Sequence, residues 1–301
     1  MSAQADSVKS ILYALGANLA IAVSKLAGAL YTGSASMLAE AIHSFADCGN
    51  QGLLLYGLKN AKQPPSPDFP LGYGKAIYFW SFIVALILFS MGGLFSIYEG
   101  VHKLGSHDEI KSPWVAVAIL VFGVIAESFS LYGCLREINK VRGNRSLWRW
   151  FRDSRQSELI VILGEDIAAL FGLVFALSAI LLAVVTGNPM FDALGSIAIG
   201  ALLIVVAILV GMEVKSLLIG QSVEPAEREA IRDFIASQPE VRRVFSTITL
   251  QLGQEIMLAV KAEMREADGR RMIDQINAVE ERLHERFPAV RWIFFEPDVV
   301  D

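Results

Sequence analysis

Residues 159–185 read LIVILGEDIAALFGLVFALSAILLAVV, an apolar run interrupted only by the adjacent acids Glu165 and Asp166. A helix crosses a bilayer with about 20 consecutive, mostly apolar residues, and this run exceeds that length. Two neighbouring carboxylates in such a run cannot both stay charged and unpaired, so a bound cation, a proton or a basic partner must neutralise them. The segment therefore predicts both a membrane helix and a polar centre buried within it.

The rest of the chain extends the same pattern. Of 301 residues, 54% are hydrophobic and 19% charged, and the mean hydropathy is +0.48, above the balance of a soluble domain. Six segments read as spans: 9–31, 36–58, 77–99, 114–136, 158–185 and 191–213. The links orient them. Lys59, Lys62 and Lys75 follow the second span, and Arg136, Lys140, Arg142, Arg145, Arg149, Arg152 and Arg155 separate the fourth from the fifth. On the other side lie the uncharged turns Thr32-Gly33-Ser34 and Thr186-Gly187-Asn188-Pro189, with only Lys103 and Lys111 in the third link. Basic loops stay in the cytoplasm, so both termini are predicted inside. The polar stretch Met1 to Lys9 precedes no small-residue cleavage site. The first helix is therefore expected to be retained, as in a bacterial inner-membrane protein.

Composition changes after residue 220. Residues 1–220 are predicted to form a six-helix transmembrane domain and 221–301 a small cytoplasmic one. Glu224–Gln238 opens with acids and Pro225, as a helix does. Val241–Leu250 and Glu255–Met264 read as strands joined at Leu252-Gly253-Gln254, the second alternating Ile256, Leu258, Val260 and Ala262. Arg270–Phe287 reads as a helix and Val290–Phe295 as a short strand. The order αββαβ predicts an α+β domain with helices on one face of a sheet. So small a domain suits a dimerisation module. Net charge is −5 and the tail has no basic patch, which argues against nucleic acid as a partner. Cys48 and Cys134 fall within apolar segments and read as small buried hydrophobes, not as a disulfide.

An ionisable group at the bilayer centre costs roughly 2.5–3.5 kcal/mol on insertion scales, so each one asks for a reason. Span two carries Glu40, His43, Asp47 and Asn50, whose spacings of three, four and three put them on one helix face. His43 and Asp47, at i and i+4, can point at a single ion, and imidazole nitrogen with carboxylate oxygen suits Zn²⁺. The plainer reading is a polar helix contact with His43 bonded to Asp47. Glu165 and Asp166 in span five shift the balance towards an ion. They stand about 100° apart on their helix, so they are not equivalent. Asp166, beside Ala169 and Gly172, is the preferred ligand. Glu165 reads equally as a further ligand, a proton carrier or a group behind the ligands. Glu40 and Glu127 are candidates for a proton path. Asn18, Ser128 and Ser130 read as interhelical glue, Glu127 sharing that reading. Lys25 snorkels or pairs with an acid. Asp192 reads as an acid favoured by its own helix dipole, and His102 and His107 as surface residues of the outer link.

Taken together, these motifs resemble the cation diffusion facilitator family over nearly the whole chain. The resemblance rests on Gly33-Ser34, Ala39-Glu40-Ala41-Ile42-His43-Ser44-Phe45-Ala46-Asp47 with Asn50, and Pro70-Leu71-Gly72-Tyr73-Gly74-Lys75. Gly164-Glu165-Asp166, Asp192 with Gly195-Ser196, and Ser216-Leu217-Leu218-Ile219-Gly220 complete it. The Glu-Asp pair and Tyr78-Phe79-Trp80-Ser81-Phe82 look like the branch that holds a mitochondrial zinc exporter and bacterial relatives. The resemblance implies a homodimer of six spans per chain with a ferredoxin-like cytoplasmic domain. It implies export of a divalent transition metal, Zn²⁺ foremost, in exchange for protons by alternating access, with the metal as cargo and no resident cofactor.

The family's transport site takes two ligands at i and i+4 from each of spans two and five. Carried over, these are His43, Asp47 and Asp166, and the fourth position holds Ile162. Glu165, Asn50 or a water then completes the set, or three protein ligands suffice, which leaves Mn²⁺, Fe²⁺ and Co²⁺ as competing cargoes. The family's loop site and cytoplasmic metal site lose their histidines here: Phe69 and Tyr73 stand at the first, and the tail holds only His284, with Phe294 and Glu296 at an expected ligand pair. No zinc cluster is expected in the tail.

Other classes fit less well. A proton-coupled organic-cation carrier would use the same acids but calls for an aromatic cage. A membrane metallo-hydrolase would need a second histidine pair, and neither that nor a nucleophile elbow is present. No Gly-x-x-x-x-Gly-Lys-Ser/Thr loop is present to drive pumping with ATP. A binding-only sensor leaves six spans unexplained.

Overall fold

A computed structural model describes residues 7–105 and 112–300, with side chains from Leu15 onward except Ala17. His107 and Lys111 of the outer link, and residues 1–6, lie outside the described residues. The chain runs α1 (Ser7–Thr32), α2 (Ala35–Ala61), α3 (Ala76–Ile87), a π-helical segment (Leu88–Leu94) and α4 (Phe95–Leu104). It continues with α5 (Pro113–Arg142), α6 (Leu147–Asp153), α7 (Ser157–Thr186) and α8 (Met190–Ile219). The last part is α9 (Pro225–Ala236), β1 (Val241–Leu252), β2 (Glu255–Met264), α10 (Gly269–Arg286) and β3 (Val290–Pro297).

The chain divides into two compact units. The first takes residues 1–57, 79–147 and 157–214, and its regular elements among the described residues are helices. Among the described residues, four helical runs are long and apolar enough to cross a membrane: Ala76–Leu104, Pro113–Arg142, Ser157–Thr186 and Met190–Ile219. α2 is 27 residues long, and its buried Glu40, His43, Asp47, Asn50 and Gln51 lower its hydropathy. The third predicted span, 77–99, proves to be a longer run in which the π-helical segment joins α3 to α4 without a break. Gly93, in that segment, lies so close to α8 that a Cβ would stand 3.2 Å from the Gly200 carbonyl. Small residues let helix backbones meet in this way inside a membrane.

The second unit takes residues 58–78, 148–156 and 215–301. Its three strands run in the order β1-β2-β3, β1 antiparallel and β3 parallel to β2, with α10 supplying the crossover. Ile256, Leu258, Val260 and Ala262 are all buried, and they pack with Ile231 and Ile235 of α9 and with Val279 and Leu283 of α10. The alternation read in the sequence is thus the side of the sheet that α9 and α10 cover. Segments 58–78 and 148–156 belong to this unit. The Tyr78 hydroxyl accepts from the Gly253 N–H at 3.0 Å, and the Arg155 guanidinium donates to the Ser222 carbonyl at 2.6 Å. The basic stretch Arg136–Arg155, expected to link two spans, is largely helical: α5 runs on to Arg142, and α6 buries Trp150 and Phe151.

Candidate functional site

α2 begins on a cap supplied by another helix. Gly33, at φ +66°, ends α1, and the chain restarts with Ala35 and Ser36, whose N–H groups have no partner within their own helix. The Asp192 carboxylate, in the first turn of α8, accepts both, at 2.7 Å from Ala35 and 3.3 Å from Ser36. It also accepts from the Ser34 hydroxyl at 2.8 Å and from that of Ser36. Lys103 of α4 approaches it at 3.4 Å and donates to the Gly33 carbonyl. Asp192 therefore serves α2, where the sequence reading assigned it to the dipole of its own helix. The reason is that its carboxylate is fully buried and the open N–H groups of α2 lie within reach.

From that anchor α2 presents its polar face inward. Glu40, His43 and Asn50 are 0% exposed and Asp47 6%, and Ala39, Ala41 and Ala46 beside them are also buried. The His43 Nδ1 stands 3.5 Å from the Asp47 Oδ1. That contact is not aligned as a hydrogen bond, and among the described residues both His43 nitrogens and the Asp47 Oδ1 are buried without a hydrogen-bond partner. Orphaned buried polar atoms are rare in proteins, and three on neighbouring side chains mark a place built for something else.

The acids of α7 separate as their geometry demands. Glu165 accepts from the Asn50 amide at 2.6 Å, which ties α7 to α2. Asp166 accepts from the Ser130 hydroxyl of α5 at 3.2 Å and keeps Oδ2 free of any described partner. Ser130 thus joins helices as read from the sequence, whereas Ser128 donates to the Val124 carbonyl of its own helix at 2.6 Å. Glu127 is buried on the same helix. Among the described residues no three His, Cys, Asp or Glu side chains gather closely enough to hold a metal ion.

Two features escaped the sequence reading in part. Lys25 is fully buried and donates to Glu40 at 3.2 Å and to Ser44 at 2.7 Å. The sequence left its partner open because residues on different helices share no local spacing. The Asn50–Glu165 bond likewise spans 115 positions. Elsewhere, His102 is exposed and its ring stacks on Tyr98. His284 is exposed with Nδ1 2.7 Å from the Val290 carbonyl, and the rings of Phe69 and Tyr73 pack against each other.

Fold and site define a helical membrane protein with a polar centre buried among apolar helices. Residues 11–219 match the cation efflux transmembrane domain, and the chain belongs to that family, the cation diffusion facilitators. It is 36% identical over 230 residues to the human mitochondrial proton-coupled zinc antiporter SLC30A9, a match covering 74% of this chain and 40% of that protein. Metal tolerance protein C4 of Arabidopsis thaliana is 28% identical over 246 residues, covering 79% of this chain and 53% of the relative. The cation-efflux pump FieF of Escherichia coli is 26% identical over 265 residues, covering 86% and 81% respectively. The chain thus spans about two-fifths of the length of the human relative it matches.

Proposed function

We propose that the chain exports a divalent transition-metal ion, Zn²⁺ first among them, in exchange for protons. The observation that carries this reading is the buried His43–Asp47 pair, 3.5 Å apart, with both imidazole nitrogens and one carboxylate oxygen lacking a described hydrogen-bond partner. Imidazole and carboxylate are ligands Zn²⁺ accepts at neutral pH, and both exchange metal for protons. The names of the relatives, a proton-coupled zinc antiporter and a cation-efflux pump, support the same activity. In this reading His43, Asp47 and Asp166 hold the ion, Glu165 and Asn50 stand beside it, and Glu40 and Glu127 lie on the proton's route. Because the three ligands are not gathered in the described arrangement, the reading has a relative shift of α2 and α7 draw Asp166 to the pair. Such a shift is the motion alternating access requires.

The same reading takes residues 1–220 as six spans, with α1 and α2 as the first two, and residues 221–301 as a ferredoxin-like cytoplasmic domain. Both termini then face the cytoplasm, in a bacterial inner membrane. It takes the protein as a homodimer. Support for that comes from the sheet side opposite α9 and α10, where Ala259 pairs with exposed Ile248 on one flank and exposed Phe294 on the other.

The test is Co²⁺ binding to detergent-purified protein, read in the visible spectrum, with Zn²⁺, Mn²⁺ and Fe²⁺ as competitors. A ligand-field band displaced by Zn²⁺ and lost in His43→Ala is expected. A band that survives both His43→Ala and Asp47→Ala, or no binding of any of the four ions by folded protein, contradicts the reading.

A further inference from the structure

We propose that Lys25 is a positioning residue that holds the Glu40 carboxylate away from the ion at His43 and Asp47, so that the ligand set stays weak enough to release its cargo. The inference rests on the metal-site reading above and goes beyond it by assigning a task to the buried ion pair next to that site.

Glu40 and His43 are three residues apart on α2, which brings their Cβ atoms to roughly 5–6 Å. A carboxylate so near a divalent ion joins its ligands unless another group claims it. Lys25 makes that claim from α1: its ammonium is 3.2 Å from Glu40 Oε2 and 2.7 Å from the Ser44 hydroxyl. All three side chains are buried. On the opposite side Glu40 Oε1 abuts Gly172 of α7 so closely that any Cβ at that position would collide with it. That oxygen has no described hydrogen-bond partner. Glu40 is therefore held between an ammonium and a helix backbone, half satisfied, about one helical turn from His43.

Affinity at a cation site rises with the number of charged ligands, and most of the change appears as slower release. A carrier that must let go of its ion on every cycle gains from keeping one carboxylate occupied. Loss of the ammonium's charge alone also favours a cation, but it leaves the Co²⁺ coordination number, and with it the strength of the visible band, unchanged.

The test compares Zn²⁺ binding by calorimetry and Zn²⁺ transport in proteoliposomes for four proteins: wild type, Lys25→Met, Lys25→Met/Glu40→Gln and His43→Ala. Lys25→Met is expected to bind Zn²⁺ about tenfold or more tightly and to turn over more slowly, with KM and kcat falling together. The Co²⁺ band should weaken as the coordination number rises. Adding Glu40→Gln restores the neutral pair and should return the dissociation constant to within about threefold of wild type. Unchanged affinity in folded Lys25→Met overturns the proposal, and so does tightening that persists in the double variant. Should Lys25→Met fail to fold, Lys25→Ala removes the donor to Glu40 and leaves room for water, and unchanged affinity there is equally fatal. If His43→Ala binds Zn²⁺ as wild type does, the site assignment itself has failed, a result the Lys25 series alone does not produce.

Discussion

At the scale of single residues, buried polar atoms on α2 and α7 lack described partners. His43 and Asp47 keep three orphaned polar atoms among fully buried neighbours, a cost that a bound ion would offset. Asp47→Ala or Asp166→Ala should leave membrane insertion intact and lower metal affinity by about 100-fold or more, measured by Zn²⁺ calorimetry. Asn50→Ala should cost less, about 10–100-fold, because Asn50 acts by holding Glu165 at 2.6 Å. Ile162 lies one turn before Asp166 on α7, so Ile162→Asp should restore a second α7 ligand and tighten Zn²⁺ binding by about tenfold. The stripe of Glu40, His43, Asp47 and Asn50 was legible in the sequence because helical periodicity is local. The partners Lys25 for Glu40 and Glu165 for Asn50 were not, because they depend on which helices become neighbours.

At the scale of elements, apolar length announced the helices and concealed their irregularities. The sequence placed a span at 77–99, and the structure carries the run to Leu104 through a π-helical segment. Gly92-Gly93 within it reads in the sequence as ordinary small-residue packing, and only the structure sets Gly93 against Gly200. Asp192 shows a similar limit. An acid in a first turn satisfies a local rule, and the capping of α2 by α8 is a non-local use of the same carboxylate. Asp192→Ala should strip the start of α2 of its acceptor and leave Lys103 without that carboxylate. A loss of roughly 3 kcal/mol is expected, seen as a lower melting temperature in detergent. Because α2 carries His43 and Asp47, the same variant should bind Zn²⁺ more weakly, whereas Asp192→Asn, which retains an acceptor oxygen, should lie between it and wild type.

At the scale of the whole molecule, the chain joins a helical membrane unit to an α+β unit. The sequence did not disclose that segments 58–78 and 148–156 belong with the C-terminal residues. Their attachment runs through non-local contacts, such as Tyr78 to Gly253 and Arg155 to Ser222 and Val223, that leave no periodic trace. The core of this unit is compact around Leu258, fully buried beneath α9 and α10, and Leu258→Ala should cost about 2–5 kcal/mol in thermal unfolding. If the open side of the sheet joins two copies, Phe294→Asp should shift the protein from dimer to monomer in light scattering of the detergent complex. The central claim, exchange of a divalent metal for protons, is tested most directly in proteoliposomes carrying a pH-sensitive dye and offered Zn²⁺, Mn²⁺, Fe²⁺, Co²⁺ and Cd²⁺ in turn. Metal uptake coupled to opposite proton movement is expected, with Zn²⁺ foremost and both signals lost in Asp47→Ala; no uptake of any of these ions by folded protein, or uptake without proton movement, would contradict metal–proton exchange.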